Sequence, residues 1–193
     1  MTATTATILS FKTKNQIYKD FKSLVEAALT EFNINNWEVK KLHQIIKTED
    51  LKPCVYIQIL RKNQKGSQYR DNLKITDQTG EIYYKKYSAK EEIQIRFSAT
   101  RREIISDTVN TYNGVDILTL IKQYFQSLNG INALSTLGYA QYRATNIQEQ
   151  SFSNDDENIQ LMPYFDCEYL YTDSFKQTIN KLDKVQEIYK KGV

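Results

Sequence analysis

Apolar residues between Asn15 and Phe32 fall at Ile17, Phe21, Leu24, Val25, Ala28, Leu29 and Phe32, steps of three and four that gather one stripe on a helix. Asn33, Asn35 and Asn36 stop it, because short amides compete for backbone hydrogen bonds and tolerate left-handed conformations. NWEVKKLHQII then alternates loosely. Pro53 opens a run in which Val55, Ile57 and Ile59 share one face of a strand and Cys54, Tyr56, Gln58 and Leu60 the other. Residues 61–81, RKNQKGSQYRDNLKITDQTGE, are polar, contain Gly66 and end in a Thr-Gly turn. They predict a long, β-hairpin-like excursion between strands, of the loop kind that often meets partners.

Strand character returns from Ile82, and in EEIQIRFSA the residues Ile93, Ile95, Phe97 and Ala99 point inward while Glu92, Gln94, Arg96 and Ser98 point outward. The period then changes: Val115, Leu118, Ile121, Phe125 and Leu128 follow helical spacing, with Asn129-Gly130 as its stop. INALSTLG predicts a short helical turn closed by Gly138, and YAQYRATNIQEQ alternates again before the acidic turn SNDDEN. In IQLMPYFDCEYLY one row holds Ile159, Leu161, Pro163, Phe165, Cys167, Tyr169 and Tyr171, the other Gln160, Met162, Tyr164, Asp166, Glu168 and Leu170. Pro163 is expected at a strand start, bulge or edge. At the end, Phe175, Ile179, Leu182, Val185 and Ile188 fit a helix, the reading favoured here, while KVQEIYK also suits a final strand. The fold class is α+β: a mixed, largely antiparallel sheet with two main helices on one face.

A chain of 193 residues with 40% hydrophobic and 25% charged residues can bury a core, which excludes a disordered polymer. No apolar run approaches the ~18 residues of a membrane span. The start of the chain lacks the basic stretch and apolar core of a secretion signal, so a cytosolic product is expected. Cys54 and Cys167 lie far apart and outside any CxxC spacing, so both are expected reduced and buried. A net charge of +3, with acidic and basic residues interspersed, does not by itself point to nucleic acid. Fourteen tyrosines beside one tryptophan supply amphipathic rings suited to strands and partner surfaces.

The chain carries no GxGxxG, P-loop, HExxH, GxSxG or EF-hand loop. His43, the only histidine, lies in a lysine-flanked polar stretch without a local signature for a cysteine partner, so no catalytic residue is assigned. Cys167 sits in an apolar row, where its thiol is hard to ionise. Asp155, Asp156 and Glu157 are consecutive on a turn, which scatters their side chains and favours a solvated tip over a metal site. No metal or cofactor is assigned. Lys85-Lys86, Arg101-Arg102 and Lys190-Lys191, beside Tyr83, Tyr84, Tyr87 and Tyr189, suit either a charged strand edge or a single-stranded nucleic-acid-binding module.

IYKDFKSLVEAAL, KPCVYIQIL, EEIQIRFSAT, GVDILTLIKQYFQSL, INALSTLGYAQY and IQLMPYFDCEYLY, in that order, carry a resemblance over residues 15–172. The chain resembles the tail and neck terminator proteins of long-tailed bacteriophages. It departs from them in lacking a proline-rich approach to the first strand and in its lysine-rich end. The resemblance covers a single α+β domain over 15–172; the expected organisation adds a flexible N-terminal tail over 1–14 and a C-terminal extension over 173–193 that the spacing reads as helical. The resemblance also implies a non-enzymatic virion protein at the head–tail junction, present in the host cytoplasm during assembly. Its expected form is a homo-oligomeric ring of six subunits that ends tail-tube growth. Partners implied are the tail tube protein, the sheath and a head-completion protein, with genomic DNA passing through the lumen and no membrane. Candidate interface residues are Tyr69, Arg70, Asp71 and Tyr83, Tyr84, Lys85, Lys86 on the excursion, read as an inter-subunit or tube-facing arm. Arg101 and Arg102, and the acidic tip Asp155, Asp156 and Glu157, complete the set.

Overall fold

The computed structural model describes residues 6–42, 53–77, 80–100, 112–153 and 159–179. The element order is β1 (Ala6–Ser10), α1 (Lys14–Glu31), β2 (Glu38–Lys41), β3 (Cys54–Asp77), β4 (Gly80–Ala99), α2 (Gly114–Gln126), α3 (Leu128–Thr136), β5 (Ala140–Ala144), β6 (Gln148–Ser153) and β7 (Ile159–Ile179). The strands form one mixed sheet in the order β1-β7-β4-β3-β2, with β5 and β6 also pairing to β7. The expected α+β class is therefore the observed one. The chain divides into two compact units: a core unit, Thr13–Asn63 with Glu92–Tyr171, and a hairpin unit, Met1–Lys12, Gln64–Glu91 and Thr172–Val193. No helix among the described residues is long and apolar enough to cross a membrane.

In the core unit the helices are delimited by local chemistry. Thr13 caps α1 by accepting from the Gln16 amide at 3.1 Å. Asn33 takes φ +58°, while its amide bonds the Thr30 carbonyl and the Ile34 amide bonds that of Leu29. This is a Schellman stop with asparagine in the left-handed position. A capping box starts α2: the Asp116 amide donates to Asn113 Oδ1 and the Asn113 amide to Asp116 Oδ2, both at 3.0 Å. The predicted stop at Asn129-Gly130 lies instead inside α3. The break falls at Ser127, whose hydroxyl donates to the Tyr124 carbonyl at 2.7 Å and accepts from the Gly130 amide at 3.2 Å. Gly138, at φ +79°, closes α3.

One core joins the three helices to one face of the sheet: Ile17, Phe21, Val25 and Ala28 of α1, Ile117, Leu118, Ile121 and Phe125 of α2, and Leu134 of α3 meet the strands. From the strands come Val55, Ile57, Ile93, Ile95, Phe97, Phe165, Cys167 and Tyr169, the inward rows read from the sequence. Phe21 lies at its centre, 4.6 Å from the ring of Tyr169, 5.0 Å from Tyr139 and 6.2 Å from Phe97. Asp20 is buried among them, accepting from the Tyr139 hydroxyl and from Gln16 Nε2, both at 2.8 Å. On the other face Cys54, Tyr56 and Met162 form a second small cluster with Leu42. β2 runs parallel to β3, whereas β5 and β6 run antiparallel to β7. Pro163 lies within β7, buried and opposite Glu149 in regular register, rather than at a start or bulge.

The hairpin unit holds the largest departures from the sequence reading. The β-hairpin-like excursion expected between the strands is observed, as paired strand rather than as loop: residues 61–77 and 80–81 fall on the continuous strands β3 and β4, whose two-residue connection admits only an antiparallel hairpin. A strand polar on both faces lacks the alternation that marks one buried face, so it reads as a loop. In the segment expected to be a flexible tail, Ala6–Ser10 form β1, antiparallel to the end of β7. In the segment expected to be helical, residues 173–179 continue β7, and the remainder lies outside the described residues. The spacing of four between Phe175 and Ile179 is even, so it satisfies a strand face as well as a helix face.

Candidate assembly surface

Within the hairpin unit the aromatic residues are stacked by cations and by each other. Tyr87 stacks on Phe175 with centroids 4.8 Å apart and planes 15° from parallel, and Arg70 lies 5.8 Å from the same ring. Lys176 sits 4.5 Å from the ring of Tyr84. Tyr69 is exposed at 67% on β3, Asp71 is exposed and accepts from the Asn72 amide at 2.8 Å, and Tyr83, Tyr84, Lys85 and Lys86 are half-buried on β4. The structure thus brings the two predicted groups on the excursion into one unit. Arg101, Arg102, Asp155, Asp156, Glu157 and His43 lie outside the described residues.

The sequence reading missed β1. Its row ATILS has no charge and no proline, and Ile8 (69%), Leu9 (46%) and the following Phe11 (58%) are exposed. The register with β7 pairs Ile8 with Phe175 and Ser10 with Ser174, so Leu9 is an inserted residue. A bulge of this kind turns a side chain out of the pleat. Among the described residues β1 ends the sheet on its side, and its lack of charge contrasts with the segment of β3 from Gln64, where Lys65, Arg70 and Asp71 are exposed. Charged edges resist pairing with other chains; uncharged apolar ones do not. The signal was present as ILSF after the threonine-rich start, an apolar cluster too short to show a period.

In the core unit a second exposed apolar group lies on α3 and β5, which pack together. Leu128 (73%) and Ile131 (52%) are one helical turn apart, and Tyr142 (59%) projects from β5. Gln141 pairs with Tyr169 and Arg143 with Glu168, so Tyr142 is again the inserted residue of a bulge.

The outward row of β7 is engaged within the core unit. Arg96 holds Asp166 through Nε–Oδ1 at 2.8 Å and Nη2–Oδ2 at 3.1 Å, and its guanidinium lies 4.0 Å from the ring of Tyr164. Asp166 is the main cause holding the Arg96 guanidinium above its ordinary pKa. Arg61 reaches Glu92 at 2.9 Å and Glu168 at 3.2 Å. It shares sequence parity with the inward Val55 and Ile57, so the simple alternation of β3 does not extend to Arg61. Neither thiol is poised to react. Burial pushes Cys54 up, and it pushes Cys167 up to about 12. Among the described residues no group of three or more histidines, cysteines and carboxylates is placed to hold a metal ion.

The model of the E217 gateway protein gp29 family matches residues 16–181, and the chain belongs to that family. It is a bacteriophage family associated with the head–tail and portal region, so the chain is a structural component of the phage head–tail junction. The resemblance to neck proteins is thereby supported at the level of the junction, not specifically as a tail terminator. No curated protein matches the chain.

Proposed function

We propose that the chain forms a closed homo-oligomeric ring at the head–tail junction that seats on the end of the tail tube and joins it to the head-completion proteins. The observation that carries this reading is the family match over residues 16–181, which includes most of the core unit and the hairpin strands β3, β4 and β7. A gateway, in the family's own word, fits a ring whose lumen passes the genome. Six subunits and arrest of tube growth are the finer form of the proposal. Exposed apolar groups on two different surfaces suit ring closure, which uses two unlike patches of every subunit.

A nucleic-acid-binding role draws less support, because Tyr84 and Tyr87 already face Lys176, Arg70 and Phe175 and so offer less ring surface for stacking bases. The test is genetic. In a phage whose copy of this chain is interrupted, filled heads and tails are expected to accumulate unjoined, and supplying the chain to the extract restores joined particles. Joined, infectious particles without the chain would refute the proposal.

A further inference from the structure

We propose that the hairpin unit opens and closes as one cooperative piece while the core unit stays folded, and that a clasp made by Arg61 and Lys62 on Glu92, Glu168 and Tyr171 limits the opening. Three strands run through both units, β3 past Asn63, β4 up to Glu92 and beyond, and β7 past Tyr171. In the core unit each of them buries side chains completely, Val55, Ile95 and Phe165 among them. In the hairpin unit not one described side chain is buried. Strands without a buried face are marginally stable in water, so the ladder beyond the core unit opens at a lower free energy than the ladder within it.

Cross-strand contacts hold the closed form. Tyr87 of β4 stacks on Phe175 of β7 at 4.8 Å, and Arg70 of β3 lies 5.8 Å from the Tyr87 ring, so three strands meet at one ring. Lys176, the next residue of β7 and so on its other face, sits 4.5 Å from the Tyr84 ring. β1 joins by its ladder to β7 and by the Lys12 amide, which donates to Asp173 Oδ1 at 3.1 Å. All these contacts share β7, so its release undoes them together. The core unit resists the same release at its margin. Arg61 Nη2 reaches Glu92 at 2.9 Å and Glu168 at 3.2 Å, and Lys62 Nζ lies 5.3 Å from the Tyr171 ring, which ties β3 to β4 and β7 just before β3 leaves the core unit. The two carboxylates are only 14% and 17% exposed, so salt screens them less than an open pair. Segments that change shape during assembly are drawn from the low-stability end of a fold, and in this chain that end is the hairpin unit.

Hydrogen exchange of the full-length chain, read by mass spectrometry, is the test. Amides of residues 64–72, 84–91 and 172–177 are expected to be protected, yet to exchange at least about ten-fold faster than those of 54–60, 93–99 and 162–171. Their exchange should also rise less steeply with urea, because opening the hairpin unit exposes less surface than unfolding the whole chain. Tyr87→Ala and Phe175→Ala, both at half-buried positions, are each expected to speed exchange in all the hairpin segments by about two- to ten-fold, the equivalent of one aromatic pair, and to leave the core segments unchanged. Arg61→Ala is expected to carry the fast exchange inward, into 58–63 and 92–93. Equal rates and equal urea slopes in the two units overturn the proposal, and so does a complete lack of protection in the hairpin segments, since no closed form then exists. Tyr87→Ala that acts only beside residue 87, or equally on the core segments, overturns the cooperative opening, and an unmoved boundary in Arg61→Ala overturns the clasp.

Discussion

Arg96 on β4 and Asp166 on β7 grip each other fork to fork, with 26% and 12% of their side chains exposed. Gln94 Nε2 reaches the same carboxylate at 3.4 Å, and the Asp166 amide donates to Thr145 Oγ1 at 2.9 Å, so one residue ties β4, β7 and the end of β5 together. Replacing Asp166 by Ala leaves the guanidinium half-buried without its partner and is expected to cost about 2 kcal/mol. A double-mutant cycle with Arg96→Ala, read by urea denaturation, should give a coupling of about 1–2 kcal/mol. Additive losses would contradict the assignment.

Two buried tyrosines should respond oppositely to loss of the hydroxyl. The Tyr169 hydroxyl is buried and meets no hydrogen-bond partner of good geometry, and apart from burial only the weakly bonding Cys167 thiol acts on it. The Tyr139 hydroxyl, by contrast, donates to buried Asp20 at 2.8 Å. Tyr169→Phe is expected to be neutral or stabilising, whereas Tyr139→Phe should lower stability by about 1–3 kcal/mol. Thermal melts of the two variants side by side decide it.

The Cys167 thiol sets an alkaline limit to stability. Burial raises it from 9.0 to about 12 in the fold. Between those values the unfolded chain releases the proton and the folded chain keeps it, so stability is fully present below pH 9 and falls as pH rises towards 12. The slope for one such group is about 1.4 kcal/mol per pH unit. Burial also raises Cys54 and Tyr169, which adds to the same trend. Cys167→Ala should flatten the decline measured by denaturation between pH 8 and 10.5; an unchanged slope would show that the thiol is not the cause.

Gly130 offers a test of sign. An added Cβ would lie 2.0 Å from the Tyr124 carbonyl oxygen, so only glycine lets α3 start this close to the end of α2. Helix propensity alone would favour alanine by about 1 kcal/mol. The crowding should outweigh that with a cost of about 1–3 kcal/mol, so Gly130→Ala is expected to lower the melting temperature. A rise would place the α2–α3 junction differently.

The core unit was largely legible in the sequence because its faces differ. Ile17 to Leu29 on α1, Ile93 to Ala99 on β4, and Phe165 to Tyr171 on β7 each bury the row that periodicity selects, while β3 buries both of its rows, Val55 and Ile57 in the main core and Cys54 and Tyr56 in the smaller cluster. The hairpin unit was legible only as a β-hairpin-like excursion of unspecified pairing, because pattern reading detects burial rather than pairing. From Gln64 to Asp71 every residue is exposed, yet the backbone is in a strand. β1 was missed for the opposite reason: its apolar residues are exposed, so nothing in the chain's own core explains them. Tyr69, Arg70 and Tyr83 to Lys86, singled out on the excursion, all lie in the hairpin unit, but cross-strand partners such as Lys176 and Phe175 appear only once β7 is seen to continue past Tyr171.

Closed ring assembly at the head–tail junction is the central claim, and electron microscopy of the purified chain, alone and mixed with tail tubes, tests it most directly. Closed rings with an open lumen that collect at tube ends are the expected result. Particles that remain monomeric and leave tube ends bare would contradict it.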